Sequence, residues 1–394
     1  MGSVVLNGAT SGATTITPTD AVTVSLTLPS TTGTLGLASG SATQSINAQN
    51  TFGFKNRIIN GNMVINQRYG TTLQTGASGF VTDRFQVLNS SAGTVNAQTV
   101  TTAPAGFTYS TQLTVGTADT AVGSSDSVMF YQTLEGYNIA DLNWGTANAK
   151  TVTLSFWVYS SLVGTYSGSL VDQAGNYSFP FNYTISSANT WEQKSVTITG
   201  PTSGTFGKVN DVGFYLEISL MTGSTYQGTP NAWAVGNFRG TASQVNWMAT
   251  SGNTWQISGV QLEVGSQATS FDFRDYGREL MMCQRYYQAV SSPTGGFPYG
   301  ISTAQVYAGT NVQGSLPLSC PMRATPSATQ TGVHLSGGST GTADVLLSSF
   351  GTIYYDGKSN LLGFGGTVAS SQTGGYNWSL YLSSTVGYQL SAEL

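Results

Sequence analysis

The 394 residues hold only 8% charged side chains, against about 25% in an ordinary soluble domain, and the formal net charge is −4. With 13 basic and 17 acidic residues there is no basic stripe to neutralise phosphates, so nucleic-acid binding and electrostatic attachment to an anionic membrane are excluded. A hydrophobic share of 39%, with 20 Tyr, 17 Phe and 7 Trp, excludes a disordered polar tract, and the shortage of charged helix formers excludes a helical bundle. At roughly 100–200 residues per domain, the length predicts two to four domains. A surface so poor in charge is covered by hydroxyls, amides and backbone, and suits packing between subunits or contact with neutral sugars.

Residues 1–54 contain one charged side chain, Asp20. Val22, Val24, Leu26 and Leu28 alternate with polar residues, the period-2 signal of a strand, and Pro29 and Gly33 mark the turn after it. Such a hydroxyl-rich piece cannot bury a core alone, so 1–54 is read as an anchor or assembly segment, with 36–54 as linker. The N-terminus has no basic region followed by an apolar run, so no signal peptide is expected. Nor is there an 18-residue apolar stretch for membrane insertion.

Residues 55–275 read as a series of strands. Val152, Leu154, Phe156 and Val158 alternate with Thr153, Ser155, Trp157 and Tyr159. Val196 and Ile198 repeat the pattern, and Val212, Phe214, Leu216, Ile218 and Leu220 stand opposite Gly213, Tyr215, Glu217 and Ser219. Trp255 and Ile257 are followed by Val260 and Leu262, with Ser258-Gly259 between them as a predicted bulge. Many short strands without interleaved helices predict one antiparallel jelly-roll sandwich.

A helix is predicted over 276–290, with Leu280, Cys283 and Tyr287 on one apolar stripe and Asp275 as its cap. Charges gather here, among them Arg274, Arg278, Glu279 and Arg285. They fit either a connecting helix (276–293) with local ion pairs or an ion-pair collar between subunits. Residues 294–394 predict a smaller second β domain, with strand-like pieces at 304–307, 345–347, 352–355 and 378–382. The fold class is therefore all-β: an N-terminal β anchor, a central sandwich, one short helix and a C-terminal β domain.

The chemistry points away from catalysis. His334, the only histidine, sits in a Gly/Ser-rich β stretch where a surface residue is expected rather than a triad base, and with Cys283 and Cys320 the only cysteines a multi-ligand zinc site is excluded by counting. Two thiols do not make a disulfide framework. Glu135, Asp141, Asp172, Glu192, Glu217 and Glu263 are available to cleave a glycan, but isolated acids in a sandwich ordinarily serve turns and ion pairs. No catalytic residue is assigned. Aromatics are the better lead, because sugar C–H faces stack on Trp and Tyr. Trp157, Tyr159 and Tyr215 lie opposite the aliphatic stripes, and Trp233 and Trp247 sit in polar, loop-like contexts. The same rings also suit a sheet face or a subunit interface.

The run Asn56-Arg-Ile-Ile-Asn-Gly-Asn-Met-Val-Ile-Asn-Gln-Arg68 resembles the opening of a family of bacteriophage tail-fibre and virion structural proteins. Thr82-Asp83-Arg84, Gln132–Gly136, Thr153–Val158, Thr190-Trp191-Glu192, Gly259–Thr269 and Glu279–Tyr287 follow in the order of that family. The resemblance covers about 56–290. It implies a virion fibre protein in host attachment, commonly a homotrimer, made in the host cytoplasm and joined to other virion proteins through its N-terminus. A head-fibre or capsid decoration protein and a polysaccharide depolymerase are the alternatives. Asn60 to Glu263 also resembles jelly-roll carbohydrate-binding modules, which implies a cell-surface glycan as partner. It further implies a structural calcium, for which Glu263 and Asp83 are the nearest acids by motif. Calcium takes 6–8 oxygen ligands, more than these motifs supply.

Overall fold

The computed structural model describes residues 4–7, 13–16, 54–290, 299–330, 333–337, 345–368, 377–382 and 387–394. The chain divides into two compact units, Met1–Gln44 and Ser45–Leu394. In the first, β1 (Val4–Asn7) and β2 (Ala13–Ile16) pair as an antiparallel hairpin. The strand expected at 22–28 lies outside the described residues.

In the second unit the expected sandwich is built from β3 (Gly79–Thr82), β4 (Phe85–Asn89), β5 (Val95–Val100), β6 (Ser110–Val115), β7 (Ser127–Glu135), β8 (Val152–Ser160), β9 (Gly164–Asp172), β10 (Tyr177–Ile185), β11 (Glu192–Ile198), β12 (Val212–Thr222), β13 (Ala234–Val235) and β14 (Thr254–Val264). One sheet has seven strands in the order β13-β10-β9-β12-β7-β4-β3, the other five in the order β11-β8-β14-β6-β5. Alternation does the work the sequence predicts. Val152, Leu154, Phe156 and Val158 of one sheet and Phe214, Leu216, Ile218 and Leu220 of the other are buried in a common core. Burial of each such side chain contributes about 1.5–3 kcal/mol.

The bulge in β14 is also present: pairing with β8 shifts between Ser258 and Gln261. Gly259 has φ +63°, and a Cβ there would lie 2.7 Å from Phe107 and 3.0 Å from Trp157, so both conformation and space demand glycine.

The helix is shorter than its periodicity suggests. α1 (Tyr276–Gln284) is capped by Asp275, whose carboxylate accepts from the Arg278 amide at 2.9 Å, but it stops where β15 (Tyr287–Val290) begins. Tyr287 therefore leaves the predicted helical stripe. The remaining strands are β16 (Tyr299–Ala308), β17 (Asn311–Pro317), β18 (Ser327–Gln330), β19 (Val333–Gly337), β20 (Val345–Tyr354), β21 (Leu361–Val368), β22 (Asn377–Leu382) and β23 (Tyr388–Ser391). β23 runs between β15 and β18, and its ladder with Tyr287–Val290 replaces continued helix. The other six close a barrel in the order β16-β17-β21-β20-β19-β22 around Val306, Leu316, Leu335, Phe364, Trp378 and Leu380. Cys283 and Cys320 are both buried and free. Among the described residues no helix is long and apolar enough to cross a membrane.

A polar seam joins sandwich, helix and C-terminal strands. Glu135 on β7 accepts from Arg285 Nε at 3.1 Å and Nη2 at 2.6 Å, and from the Tyr286 hydroxyl. Arg84 pairs with Glu393, donates to the Thr133 carbonyl at 2.7 Å and stacks over the Tyr286 ring at 3.6 Å. Arg68 reaches Glu393 at 3.0 Å.

Candidate functional site

The face of the seven-stranded sheet turned away from the core carries a groove of about 310 Å³. Its floor follows from strand alternation. On β7 the apolar set Val128, Phe130 and Leu134 enters the core, so Met129 and Tyr131 point outward. On β12 the same rule turns out Tyr215 and Glu217. Register sets Tyr131 opposite Glu217, Glu217 opposite Ser169 of β9, and Tyr215 opposite Val171. Gln173 from the turn after β9, with Asn237 and Arg239 after β13, completes the rim.

Glu217 is 5% exposed, and its Oε2 has no hydrogen-bond partner among the described residues. Burial raises its carboxyl to about 7, opposed by the Arg239 guanidinium. Burial, then the charge of Glu217, pushes the Tyr131 and Tyr215 hydroxyls up as well. Tyr131 donates to Gln86 Oε1 at 3.0 Å. Arg239 donates from Nε to Asn237 Oδ1 at 3.5 Å and lies over the Tyr226 ring at 4.8 Å. The arrangement combines aromatic platforms with an acid, a guanidinium and two amides. These can stack on a sugar ring and exchange hydrogen bonds with its substituents.

Of the ring residues expected from sequence, Tyr215 alone lines this groove. Trp157 and Tyr159 stand on the outward side of β8, in the other sheet, where Tyr159 meets Trp191 with centroids 5.6 Å apart. Trp233 is packed into the scaffold. It stacks on Tyr177 at 5.4 Å, meets Trp144 edge-on at 5.7 Å, and donates its indole N–H to the Thr199 carbonyl at 2.7 Å. The expectation for Trp247 is overturned. Its polar sequence context forms a 3-10 turn, Trp247–Ala249, that drives the ring into the core at 0% exposure, out of reach of a ligand.

The two acids named for calcium, Glu263 and Asp83, are each engaged by donors of the chain. Glu263 accepts from the Thr269 amide at 2.8 Å, the Thr269 hydroxyl at 2.6 Å and Gln261 Nε2 at 2.9 Å. Asp83 accepts from the Gln67 amide at 3.0 Å and Gln67 Nε2 at 2.5 Å, with Arg68 at 3.6 Å. Burial raises Asp83 to about 6 even so. Both carboxylates are filled by donors and share none of them. No group of three acid, His or Cys side chains converges among the described residues.

Three of the four charged residues around α1 have partners within the chain. Arg274 donates to the Ile58 carbonyl at 3.0 Å and pairs with Glu279 at 3.4 Å, and Glu279 accepts from the Asn60 amide. Arg285 is held by Glu135 at 2.6 Å. Of the four, Arg278 is exposed. Arg274, Glu279 and Arg285 thus pair within the chain, as the connecting-helix alternative expects.

Sequence reasoning passed over Tyr131, Arg239, Gln173 and Asn237; it placed Glu217 opposite the aliphatic stripe of its strand and among the acids available for cleavage, but not among the binding residues. Tyr131 was within reach of the alternation rule, one residue from the apolar Phe130. Arg239 was not, because loop contacts, such as its amide on the Tyr226 carbonyl at 2.8 Å, bring it to the groove.

No family model matches this chain, and no curated protein matches it. Several solved structures are similar at low identity. One is the enzymatically active domain of tailspike protein 4 of bacteriophage CBA120, at 14% identity and TM-score 0.28. That match covers 53% of this chain and 21% of the tailspike chain. Another is TmCBM61 in complex with β-1,4-galactotriose, at 11% identity and TM-score 0.28, covering 54% of this chain and 99% of that one. A third is the family 11 carbohydrate-binding module of the cellulosomal cellulase Lic26A-Cel5E of Clostridium thermocellum, at 11% identity and TM-score 0.26. It covers 51% of this chain and 98% of that one.

Proposed function

We propose that this chain is a fibre-type virion protein of a bacteriophage, and that it attaches to the host by non-covalent binding of a cell-surface glycan in the groove at Tyr131, Tyr215, Glu217 and Arg239. The observation that carries the binding role is the pairing, in one groove, of aromatic floor residues with a buried acid and a guanidinium that make no ion pair with each other. The virion role rests on the ordered motifs between residues 56 and 290. Glu217 is the one carboxylate lining the groove among the described residues. Hydrolysis of a glycosidic bond calls for two carboxyl groups about 5–9.5 Å apart, so the groove favours binding over cleavage. Assembly as a homotrimer belongs to the same reading. It is supported by the contiguous rings of Phe107, Phe271 and Phe273, with centroids 4.9–5.1 Å apart, of which Phe273 is 58% exposed. Three copies would multiply weak sugar contacts by avidity.

The test is binding of the labelled full chain to intact host cells, with extracted envelope polysaccharide as competitor. Saturable binding that the polysaccharide abolishes is expected. Tyr215→Ala should weaken it about tenfold, the loss of one stacking contact of about 1.4 kcal/mol. A folded, oligomeric sample that binds no cells would overturn the attachment role and leave a structural or decoration protein.

A further inference from the structure

Seven acids are buried in the described residues: Asp83, Asp119, Glu135, Asp172, Glu217, Glu263 and Glu279. Six of them have hydrogen-bond donors in hand. Asp172 accepts from the Asn176, Tyr177 and Thr205 amides, and Asp119 from those of Ala92 and Ala121. Asp83, Glu135, Glu263 and Glu279 have the partners given above. Glu217 is the exception: it lines the groove, and its buried Oε2 has no donor from the described residues. Burying a carboxylate oxygen without a donor costs far more than burying the neutral acid form, and that form presents one O–H to the groove. Across from it, Arg239 makes no ion pair among the described residues and carries its guanidinium over the Tyr226 ring.

We propose that the groove selects a glycan bearing a carboxylate, a uronic acid or other acidic sugar, seated between the Arg239 guanidinium and the protonated Glu217, and that the proton on Glu217 gates its binding. This rests on the glycan reading of the groove. The guanidinium fork matches a carboxylate in geometry and charge, and the acid O–H donates to the carboxylate's remaining lone pair. Ionised Glu217 would instead set two negative charges against each other. The groups facing Glu217 from the packed elements are Tyr131 on β7, Tyr215 on its own strand and Arg239 after β13. β9 presents Ser169, which carries no charge, and Asp172 at the end of β9 acts on Tyr215. With Glu217 titrating at about 7, the competent fraction falls about tenfold between pH 6 and pH 8, and the apparent affinity falls with it.

The experiment probes the full-length protein against immobilised uronic-acid oligosaccharides and the same oligosaccharides with carboxylates reduced to alcohols, at pH 6 and pH 8. The expected result is preference for the acidic members, with affinity about tenfold weaker at pH 8. Glu217→Gln, which donates but does not titrate, should bind acidic members equally at both values. Arg239→Gln should lose the preference for them. Equal, pH-independent binding of acidic and reduced members would overturn this inference and leave the glycan reading intact. A pH profile unchanged in Glu217→Gln would overturn the gate. No binding to any member by folded protein would overturn both.

Discussion

Glu135 and Glu217 occupy neighbouring strands of one sheet, point from the same outward face, and are 1% and 5% exposed. Their surroundings differ completely. Glu135 lies where α1 and the C-terminal strands roof the sheet, and Arg285 and Tyr286 fill its lone pairs. Glu217 lies beyond that roof, where the sheet opens into the groove and no described residue donates to its Oε2. Burial alone therefore does not fix what an acid is bonded to. What distinguishes the two is whether the scaffold completes the carboxylate's hydrogen bonds.

The contrast can be broken from the Glu135 side with the largest effect. Arg285→Ala leaves Glu135 buried with only the Tyr286 hydroxyl and should cost about 3–5 kcal/mol in urea unfolding near neutral pH. Replacing both partners, Glu135→Leu with Arg285→Met, should recover most of that loss, because neither charge then remains buried.

The Glu217 side runs the other way. Its carboxyl is raised from the ordinary 4.5 to about 7, so the fold favours its protonated form. The stability it contributes is whole below pH 4.5 and is lost as pH rises through 7. Glu217→Gln should match the parent at pH 4 and exceed it by up to about 3 kcal/mol at pH 8, read by thermal or urea unfolding across that window. A variant destabilised at pH 8 would show that Glu217 serves the scaffold as Glu135 does. The smallest effect is at the roof itself. Asp275→Ala removes the cap of α1 and should cost about 1 kcal/mol, with faster amide exchange in the first turn.

The sandwich was legible because two-residue alternation is a local signal. Val152–Val158, Val212–Leu220 and the Gly259 bulge are all read from contiguous residues. The end of α1 was not legible, because Tyr287–Val290 is claimed by Tyr388–Ser391, about a hundred residues away. The groove was half legible. Alternation turned out Tyr215 and Glu217, but the burial and missing donors of Glu217 come from β7, β9 and the loop at Arg239, and no spacing encodes those. Trp247 misled because its neighbours are polar while its burial is tertiary. The motifs at Asn56–Arg68, Asp83-Arg84, Glu135 and Glu279–Tyr287 mark the seam, not the groove.

The start and end of the sandwich are clamped together. Arg57 donates its amide to the Leu262 carbonyl at 3.0 Å, and the Asn56 side chain bonds both the Val260 carbonyl and the Leu262 amide, at 3.1 Å each. Entry and exit therefore share one corner of the domain. In mechanical terms, tension between residues 54 and 265 is carried across this short clamp. Those bonds take the load, and the strands that floor the groove, β7 and β12, lie outside the line of force.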